Sequence, residues 1–405
     1  MMAVSPEDYA HWMRWRLPEL NKGIDAYSTS DVLSTLAREA IEVCGAITRD
    51  RPAIPSLDIE REKFTYISMV HASLYRHKRD IILHNAPLPA YLVHAVENVE
   101  ELLVKLASSL GVESRFLSSF YLMYNPGIEG RRAQFRPGKD ESEFVRANQM
   151  GIVQYKLAAL ALLRTMKWLV LEKPSPHLIV EQLREASEAF SNIVEGNRDL
   201  AHNLDKREFE FLTEYFSTVE VQGRTLRGVN AGDQPWSYII DLLLGVDLKQ
   251  AFQIGFDRDY PSDIETSVDV VSYEFKSGNY LKSNYLLPED YEHLTETLGI
   301  VNNGPDTLLS AIENCYTSEG KAALIMSLHS VMKSYIMTSN THYGLAKKYV
   351  PADPSTGTQI GSSGTNIDKF LKKGLIEERM KRLHDLETNY PEIRAAQSFT
   401  IVASS

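Results

Sequence analysis

The stretch that decides the fold lies near the C-terminus. It runs from Gly320-Lys-Ala-Ala-Leu to Tyr349-Val-Pro351, contains Thr341-His342-Tyr343-Gly344 near its end, and is followed by Gly361-Ser-Ser-Gly-Thr365. The first part has the apolar period of a helix, and the glycine-rich segment predicts a mobile loop before a second helix. We interpret the rest of the chain as a set of helices that enclose whatever His342 binds.

The inward face of this helix is regular. It is formed by residues spaced three or four apart: Leu324, Leu328, Val331, Tyr335, Thr338 and His342. Residues at this spacing share one side of a helix. A lone histidine on an apolar face is most often a hydrogen-bonded core residue. It is also the way in which a helical bundle supplies a ligand to haem iron, and a glycine-rich loop suits a lid that orders over a ligand.

The composition is that of an ordinary globular protein. The chain has 405 residues, of which 43% are hydrophobic and 24% charged, with a net charge of −11. An acidic chain is a poor partner for nucleic acid or anionic membranes. Its longest apolar run, 157–163, is too short to span a membrane. The N-terminus has no basic-then-apolar signal segment, so we expect a cytoplasmic protein.

The periodicity predicts an all-α fold. Helical patterns recur along the chain, the longest over 141–171, and the segments 218–222 and 267–273 are the only strand candidates. We expect a large helical bundle divided into an N-terminal helical region (1–112), a main helical domain (113–386) and a C-terminal tail (387–405). Apolar helices can face a second copy as well as a core, so a homo-oligomer is compatible with the pattern.

Two loops have the composition of ligand-contacting segments. The first contains Tyr124-Asn-Pro-Gly127 and three arginines, Arg131, Arg132 and Arg136. It is either a solvated connector or a clamp for carboxylates of a substrate or of a cofactor's propionates, which arginine binds well. The second contains Ala231-Gly232, whose small side chains let the backbone approach a flat ligand, although a plain turn explains it equally.

Several segments together resemble the haem-dependent tryptophan/indoleamine 2,3-dioxygenase superfamily. The run Ser339-Asn-Thr-His342-Tyr-Gly and the loop 361–365 resemble the proximal-histidine helix and flexible loop of indoleamine 2,3-dioxygenases. Phe209-Glu-Phe211, the Ala231-Gly232 segment and Ile240-Asp-Leu-Leu-Leu-Gly245 are similar to further segments of that superfamily. Tyr124-Asn-Pro126 is more similar to the monodechloroaminopyrrolnitrin synthase branch.

The resemblance implies a helical bundle that encloses b-type haem, with His342 as the proximal iron ligand. It implies an oxygenase that uses dioxygen on a small aromatic substrate, an aromatic amino acid such as tryptophan or an indole derivative. The residues that it implies fall into three groups: cofactor contacts at Ala231, Gly232, Arg131 and Arg132, catalytic candidates at Asn148 and Arg146, and substrate contacts at Tyr124, Thr213, Gly364 and Thr365.

One departure affects the substrate. Where the superfamily has an arginine that binds the substrate carboxylate, this sequence has Thr213. Either an arginine of the 131–136 loop replaces it, or the substrate carries no carboxylate at that point. Two alternatives therefore remain: a non-catalytic haem or gas-binding protein of the same fold, and a helical interaction module in which His342 is a core residue.

Overall fold

A computed structural model describes residues 6–24, 30–50, 56–172, 174–229, 234–276, 283–361 and 364–393. About 75% of the residues are helical, which confirms the predicted all-α class. The α-helices are α1 (Pro6–His11), α2 (Leu17–Gly23), α3 (Ser30–Arg49), α4 (Leu57–Leu83), α5 (Ala90–Leu110), α6 (Ser118–Met123), α7 (Asp140–Leu171), α8 (Pro176–Asn203), α9 (Lys206–Thr213), α10 (Trp236–Leu244), α11 (Leu248–Phe256), α12 (Ser267–Lys276), α13 (Pro288–Asn303), α14 (Leu308–Cys315), α15 (Ser318–Tyr349) and α16 (Glu377–Asn389). Two segments, Trp12–Arg16 and Asp368–Ile376, form π-helices.

One of the two predicted strands is present. Strand β1 (Val219–Val221) pairs antiparallel with β2 (Arg224–Leu226). Gln222 and Gly223 connect them with φ angles of 49° and 72°, the left-handed conformation that a two-residue hairpin requires. The strand predicted over 267–273 is wrong, because this segment is α12. Its buried residues Val270, Val271, Glu274 and Phe275 follow a helical period, and Asp269 accepts hydrogen bonds from the backbone at its start.

A first hydrophobic core joins the N-terminal helices to later parts of the chain. Side chains from α2 to α6 pack in it with Phe135, Val145, Phe216 and Tyr285. Rings of Phe116, Phe135 and Tyr215 stack or meet edge to face within it. This core therefore extends past residue 112, where the sequence analysis placed a domain boundary.

The second core contains the long helices. It is formed by the C-terminal half of α7 together with α8, α10 to α15 and the residues that follow α15. In the predicted tail, α16 continues to Asn389 and Ile393 is buried. Residues beyond 393 lie outside the described part of the chain.

Helix α8 lies between α7 and α15 and fixes their directions. Hydrogen bonds from Asn192 to Gln154 and from Arg164 to Gln182 show that α8 and α7 are antiparallel. The bonds Ser187–Ser334 and Asn197–Thr341, which follow the same order on both helices, show that α8 and α15 are parallel. Helices α7 and α15 are consequently antiparallel to each other.

Within the described ranges, no helix combines the length and the apolar character needed to cross a bilayer.

Candidate functional site

His342 lies at the end of the buried stripe of α15. The other five residues of the predicted stripe, Leu324 to Thr338, are all buried, with at most 2% of their surface exposed. This confirms the predicted inward face. The His342 residue itself is accessible to solvent, yet its pKa is lowered, first by burial and then by the charge of Arg379. The imidazole therefore lies at the accessible end of the buried stripe, close enough to Arg379 for its positive charge to lower the pKa.

The lowered pKa has a chemical consequence for the ring. It keeps the imidazole neutral at physiological pH, and the neutral ring has the nitrogen lone pair that binds a metal ion. This state fits a haem ligand.

Arg379 supports the helix turn that precedes His342. Its Nε and Nη2 donate to the two carboxylate oxygens of Asp241 at 2.8 and 2.6 Å, and its Nη1 donates to the Ser339 hydroxyl at 2.7 Å. The guanidinium also lies 4.3 Å from the centre of the Tyr335 ring. Helices α10, α15 and α16 are thus joined at one buried cation, three residues before His342.

Aromatic rings join α7 to α15 two turns away from His342. The Tyr155 ring of α7 meets the Tyr335 ring edge to face, with centroids 6.5 Å apart. Phe190 of α8 packs against both rings. Burial raises the pKa of Tyr155 to about 12. The phenol is therefore protonated at neutral pH and can donate a hydrogen bond.

These contacts bring Asn148 to the level of His342. Tyr155 faces Tyr335, and at the other end Phe144 and Tyr349 belong to one apolar cluster. Since Asn148 lies seven residues before Tyr155 and His342 seven residues after Tyr335, the antiparallel helices place both at the same height along the bundle. Asn148 and Tyr155 also share one face of α7. Asn148 is half-buried, and its side-chain amide donates to the Phe144 carbonyl.

Gly151 shows open space on the same face of α7. A Cβ atom built at Gly151 would meet no atom within 4 Å. Residues 147–156 are partly exposed except for Met150, which is exposed. A neutral imidazole that can bind iron, and the Arg132 cation that reaches the neighbouring part of α7, are donor groups of the kind that haem requires, so the residues present fit haem.

The arginines predicted near the site lie in different environments. Arg132 donates to the Gln149 side chain at 2.7 Å and to the Asn125 carbonyl at 2.9 Å, so it reaches α7 next to Asn148. Arg131 is exposed and lies over the Trp15 ring. Arg146 is exposed, pairs with Glu143 at 2.9 Å, and points away from the Asn148 face. The structure therefore brings Arg132 to this part of α7, but not Arg131 or Arg146.

The predicted substrate contacts are also separated. Tyr124 accepts a hydrogen bond from Arg61 at 2.6 Å, and the guanidinium lies 5.0 Å from its ring centre. Thr213 is half-buried at the end of α9 and donates to the Glu210 carbonyl at 2.7 Å. Ala231 and Gly232 lie outside the described residues, so their predicted cofactor contact stays a prediction.

The glycine-rich loop is fixed at its two ends. The Gly361 amide donates to the Thr365 carbonyl at 2.9 Å and the Gly364 amide to the Gly361 carbonyl at 2.8 Å, and Gly364 has a φ of 81°. After the loop, Asp368 accepts a hydrogen bond at 2.6 Å from Tyr343, the neighbour of His342. The loop is therefore attached to the turn of α15 that carries the histidine.

Three residues of this site were not predicted from the sequence: Asp241, Arg379 and Tyr155. Asp241 is a lone carboxylate inside the apolar run Ile239–Leu244, and such a charge has to find a partner when the helix is buried. That signal identifies Asp241 but not its partner, because Arg379 lies 138 positions further along the chain.

An all-α fold with an accessible, neutral histidine at the end of a buried helical stripe is compatible with the class of helical haem proteins. In a comparison with known families, residues 72–251, somewhat less than half of the chain, match the sequence model of the family described as monodechloroaminopyrrolnitrin synthase PrnB. The match confirms the family resemblance predicted from the sequence. It covers Tyr124, Asn148 and Thr213 but ends before His342. Comparison with curated proteins found no match.

This family consists of haem-dependent oxygenases. The prediction that the chain is an enzyme of that class is confirmed at this general level, and the family's dependence on haem supports the predicted haem cofactor.

Proposed function

We propose that this chain binds b-type haem through His342 and adds oxygen from dioxygen to an aromatic amino acid or an indole derivative. The observation that carries the proposal is the state of the His342 imidazole, which is accessible but desolvated, with its pKa lowered by burial and by Arg379. The family match over 72–251 supports the cofactor class independently, because it does not include His342.

The polypeptide keeps the ligand neutral and correctly placed. Arg379 disfavours protonation of the imidazole, and its bond to Ser339 holds the preceding turn of α15 against α10. Bound haem would supply the chemistry that activates dioxygen. We assign Arg132 as a contact for a haem propionate, because it is a fixed cation beside α7. Arg131, Ala231 and Gly232 remain proposed cofactor contacts from the resemblance alone.

On the substrate side we propose Asn148 as the polar group nearest the reacting atoms. Its amide can donate or accept, and it lies at the height of His342 on a face with open space. Tyr124, Gly364 and Thr365 are proposed substrate contacts. Arg146, the other catalytic candidate, has only the resemblance in its favour, since it pairs with Glu143 on the exposed side of α7.

Thr213 bears on whether the substrate is bound through a carboxylate. A hydroxyl that donates to its own helix carbonyl cannot replace the bidentate, charged contact of an arginine with a carboxylate. We therefore propose an aromatic substrate whose binding does not depend on a carboxylate at this position. Tryptophan, indoles without a carboxylate and ring-substituted derivatives are the compounds to compare.

The test is an optical titration of the purified chain with haem, followed by reaction with dioxygen. We expect a Soret band typical of a histidine-ligated haem in the unaltered chain. We expect its loss or displacement in His342→Ala, and partial recovery when free imidazole is added. His177→Ala is the matched control, because His177 is an exposed histidine on α8. An unchanged Soret band in His342→Ala contradicts the assignment.

Thr213 also motivates a second candidate, a haem protein that binds gas without turnover. Stopped-flow mixing of the ferrous protein with dioxygen and a panel of indoles separates the two. Decay of the oxygen complex that an indole accelerates, with labelled oxygen in the product, supports the oxygenase. A stable complex that no indole affects supports the gas-binding protein.

A further inference from the structure

The guanidinium of Arg379 lies along the face of α15 that ends in His342. Ser339 and His342 are three positions apart, so they are neighbours on the helix surface, with Cβ atoms about 5–6 Å apart. The Ser339 hydroxyl accepts a hydrogen bond from Arg379 Nη1 at 2.7 Å. The guanidinium also lies 4.3 Å from the centre of the Tyr335 ring, one turn before Ser339. A positive charge is therefore placed one helical turn behind the imidazole.

This charge is permanent and held in one position. The Arg379 residue is 6% exposed. All three guanidinium nitrogens donate hydrogen bonds, Nε and Nη2 to Asp241 at 2.8 and 2.6 Å and Nη1 to Ser339. A guanidinium stays protonated in proteins, so pH does not remove its charge. Because the group is buried, salt and water screen its field much less than that of a surface arginine.

Asp241 balances the charge of Arg379, but the two act on different parts of α15. Burial and then the charge of Arg379 lower the pKa of His342. Burial is the largest cause of the raised pKa of Tyr335, two turns earlier, and Asp241 contributes to it by its charge and a hydrogen bond. The ion pair is therefore a fixed dipole with its positive end toward His342.

We propose that Arg379 is a positioning residue whose fixed charge raises the reduction potential of the iron that His342 ligates. This inference rests on the proposed function. A positive charge near a metal centre favours the state with one positive charge fewer, which for haem iron is the ferrous state. Groups behind the axial ligand are among the means by which a protein adjusts this potential. Asp241 holds the guanidinium in place and limits the size of the effect.

A purely structural role for the ion pair makes a different prediction. Arg379 and Asp241 join α16 to α10, and loss of either partner disturbs the same junction. Structural damage would therefore move the reduction potential in the same direction in both single variants. The electrostatic role predicts opposite directions, because Arg379→Gln removes a positive charge whereas Asp241→Asn removes a negative one.

Spectroelectrochemical titration of the full, haem-loaded chain tests the proposal. We expect Arg379→Gln to shift the equilibrium constant between the two iron states about threefold or more toward ferric, and Asp241→Asn to shift it by a similar factor toward ferrous. Arg379→Lys keeps the charge, so its shift should be smaller than that of Arg379→Gln. Lys381→Gln is the matched control, because it changes the net charge equally at an exposed position of α16, and it should leave the equilibrium unchanged.

The double variant Arg379→Met/Asp241→Leu keeps the test decisive if a single variant does not fold, because it leaves no isolated buried charge. It should shift the equilibrium toward ferric, since the positive end of the pair is the one toward His342. Shifts of the same sign in Arg379→Gln and Asp241→Asn overturn the inference, and so does an unchanged equilibrium in Arg379→Gln or in the double variant. A histidine-ligated Soret band in those samples leaves the proposed function intact. Absence of that band in the unaltered chain overturns both.

Discussion

The Arg379 guanidinium forms a two-point ion pair with Asp241, in which both carboxylate oxygens accept a hydrogen bond and both side chains are buried. The pair joins α16 to α10, and its third bond, to Ser339, joins both helices to the turn before His342. Removal of one partner leaves a buried charge without compensation, which costs far more than the ion pair itself contributes.

Arg379→Met should therefore lower the free energy of unfolding by about 3–5 kcal/mol. The double variant Arg379→Met/Asp241→Leu should recover a large part of that loss, because no isolated charge remains. Urea unfolding of the haem-free chain measures both values. Arg184→Met, at an exposed pair with Glu188, is the control and should change the value by less than about 1 kcal/mol. Equal destabilisation in the single and the double variant would contradict this account.

Glu141 should give the fold a pH dependence of unusual sign. Burial raises its pKa to about 7, against opposing hydrogen bonds from Tyr121 and from the amides of Phe135 and Arg136. A carboxyl whose pKa is raised by folding binds more protons in the folded state. Its contribution to stability is present below pH 4.5 and is lost as the pH rises to about 7.

The variant Glu141→Gln isolates this effect. The stability of the unaltered chain minus that of the variant should fall by about 3 kcal/mol between these pH values, since one pKa unit corresponds to about 1.4 kcal/mol. Chemical unfolding at a series of pH values measures it. Glu188→Gln, at an exposed glutamate of α8, is the control and should show no such trend. A difference that stays constant or rises with pH would refute the assignment.

Gly374 should be intolerant of a side chain. A Cβ atom there would lie 2.7 Å from the carbonyl oxygen of Ala251, a backbone atom of α11 that cannot move alone. Gly374→Ala should lower the free energy of unfolding by about 1–3 kcal/mol, as overpacking does. At Gly196 of α8 nothing lies within 4 Å, so Gly196→Ala should stabilise by about 0.5–1 kcal/mol. Thermal unfolding of the two variants measures the change in stability of each. A change of the same sign in both would contradict the packing explanation.

Thr213→Arg should introduce a preference for carboxylates if Thr213 faces the substrate. The ratio of the dissociation constants of tryptamine and tryptophan should rise about tenfold or more, because a charge-assisted pair forms only with tryptophan. Optical titration of the haem-loaded protein measures the ratio without the need for turnover. Thr213→Gln is polar but uncharged and should leave the ratio unchanged. An unchanged ratio in a folded, haem-loaded Thr213→Arg protein would place the carboxylate contact elsewhere.

Much of the fold follows from local periodicity. The inward face of α15 was predictable because its spacing of three and four residues is a property of one helix. The segment that forms α12 is predicted as a strand because Val-Asp-Val-Val alternates over a few residues. At the start of the helix the Thr266 amide donates a hydrogen bond to the Asp269 carboxylate. An alternation pattern does not indicate this local contact.

The site was less predictable because it depends on contacts between distant parts of the chain. His342 could be identified from its place on the stripe, but its lowered pKa depends on burial by neighbouring segments and on the charge of Arg379, which belongs to another helix. Likewise, the antiparallel packing of α7 and α15 on α8 is what brings Asn148 to the height of His342, whereas Arg146, two residues earlier, faces outward. No single segment contains that information.

The hydrogen bond between Tyr343 and Asp368 has a consequence for motion. It joins α15 directly to the π-helix Asp368–Ile376 across 25 positions of the chain. Because the donor is the residue next to His342, a movement of the π-helix away from α15 would have to break a hydrogen bond of the helical turn that carries the imidazole.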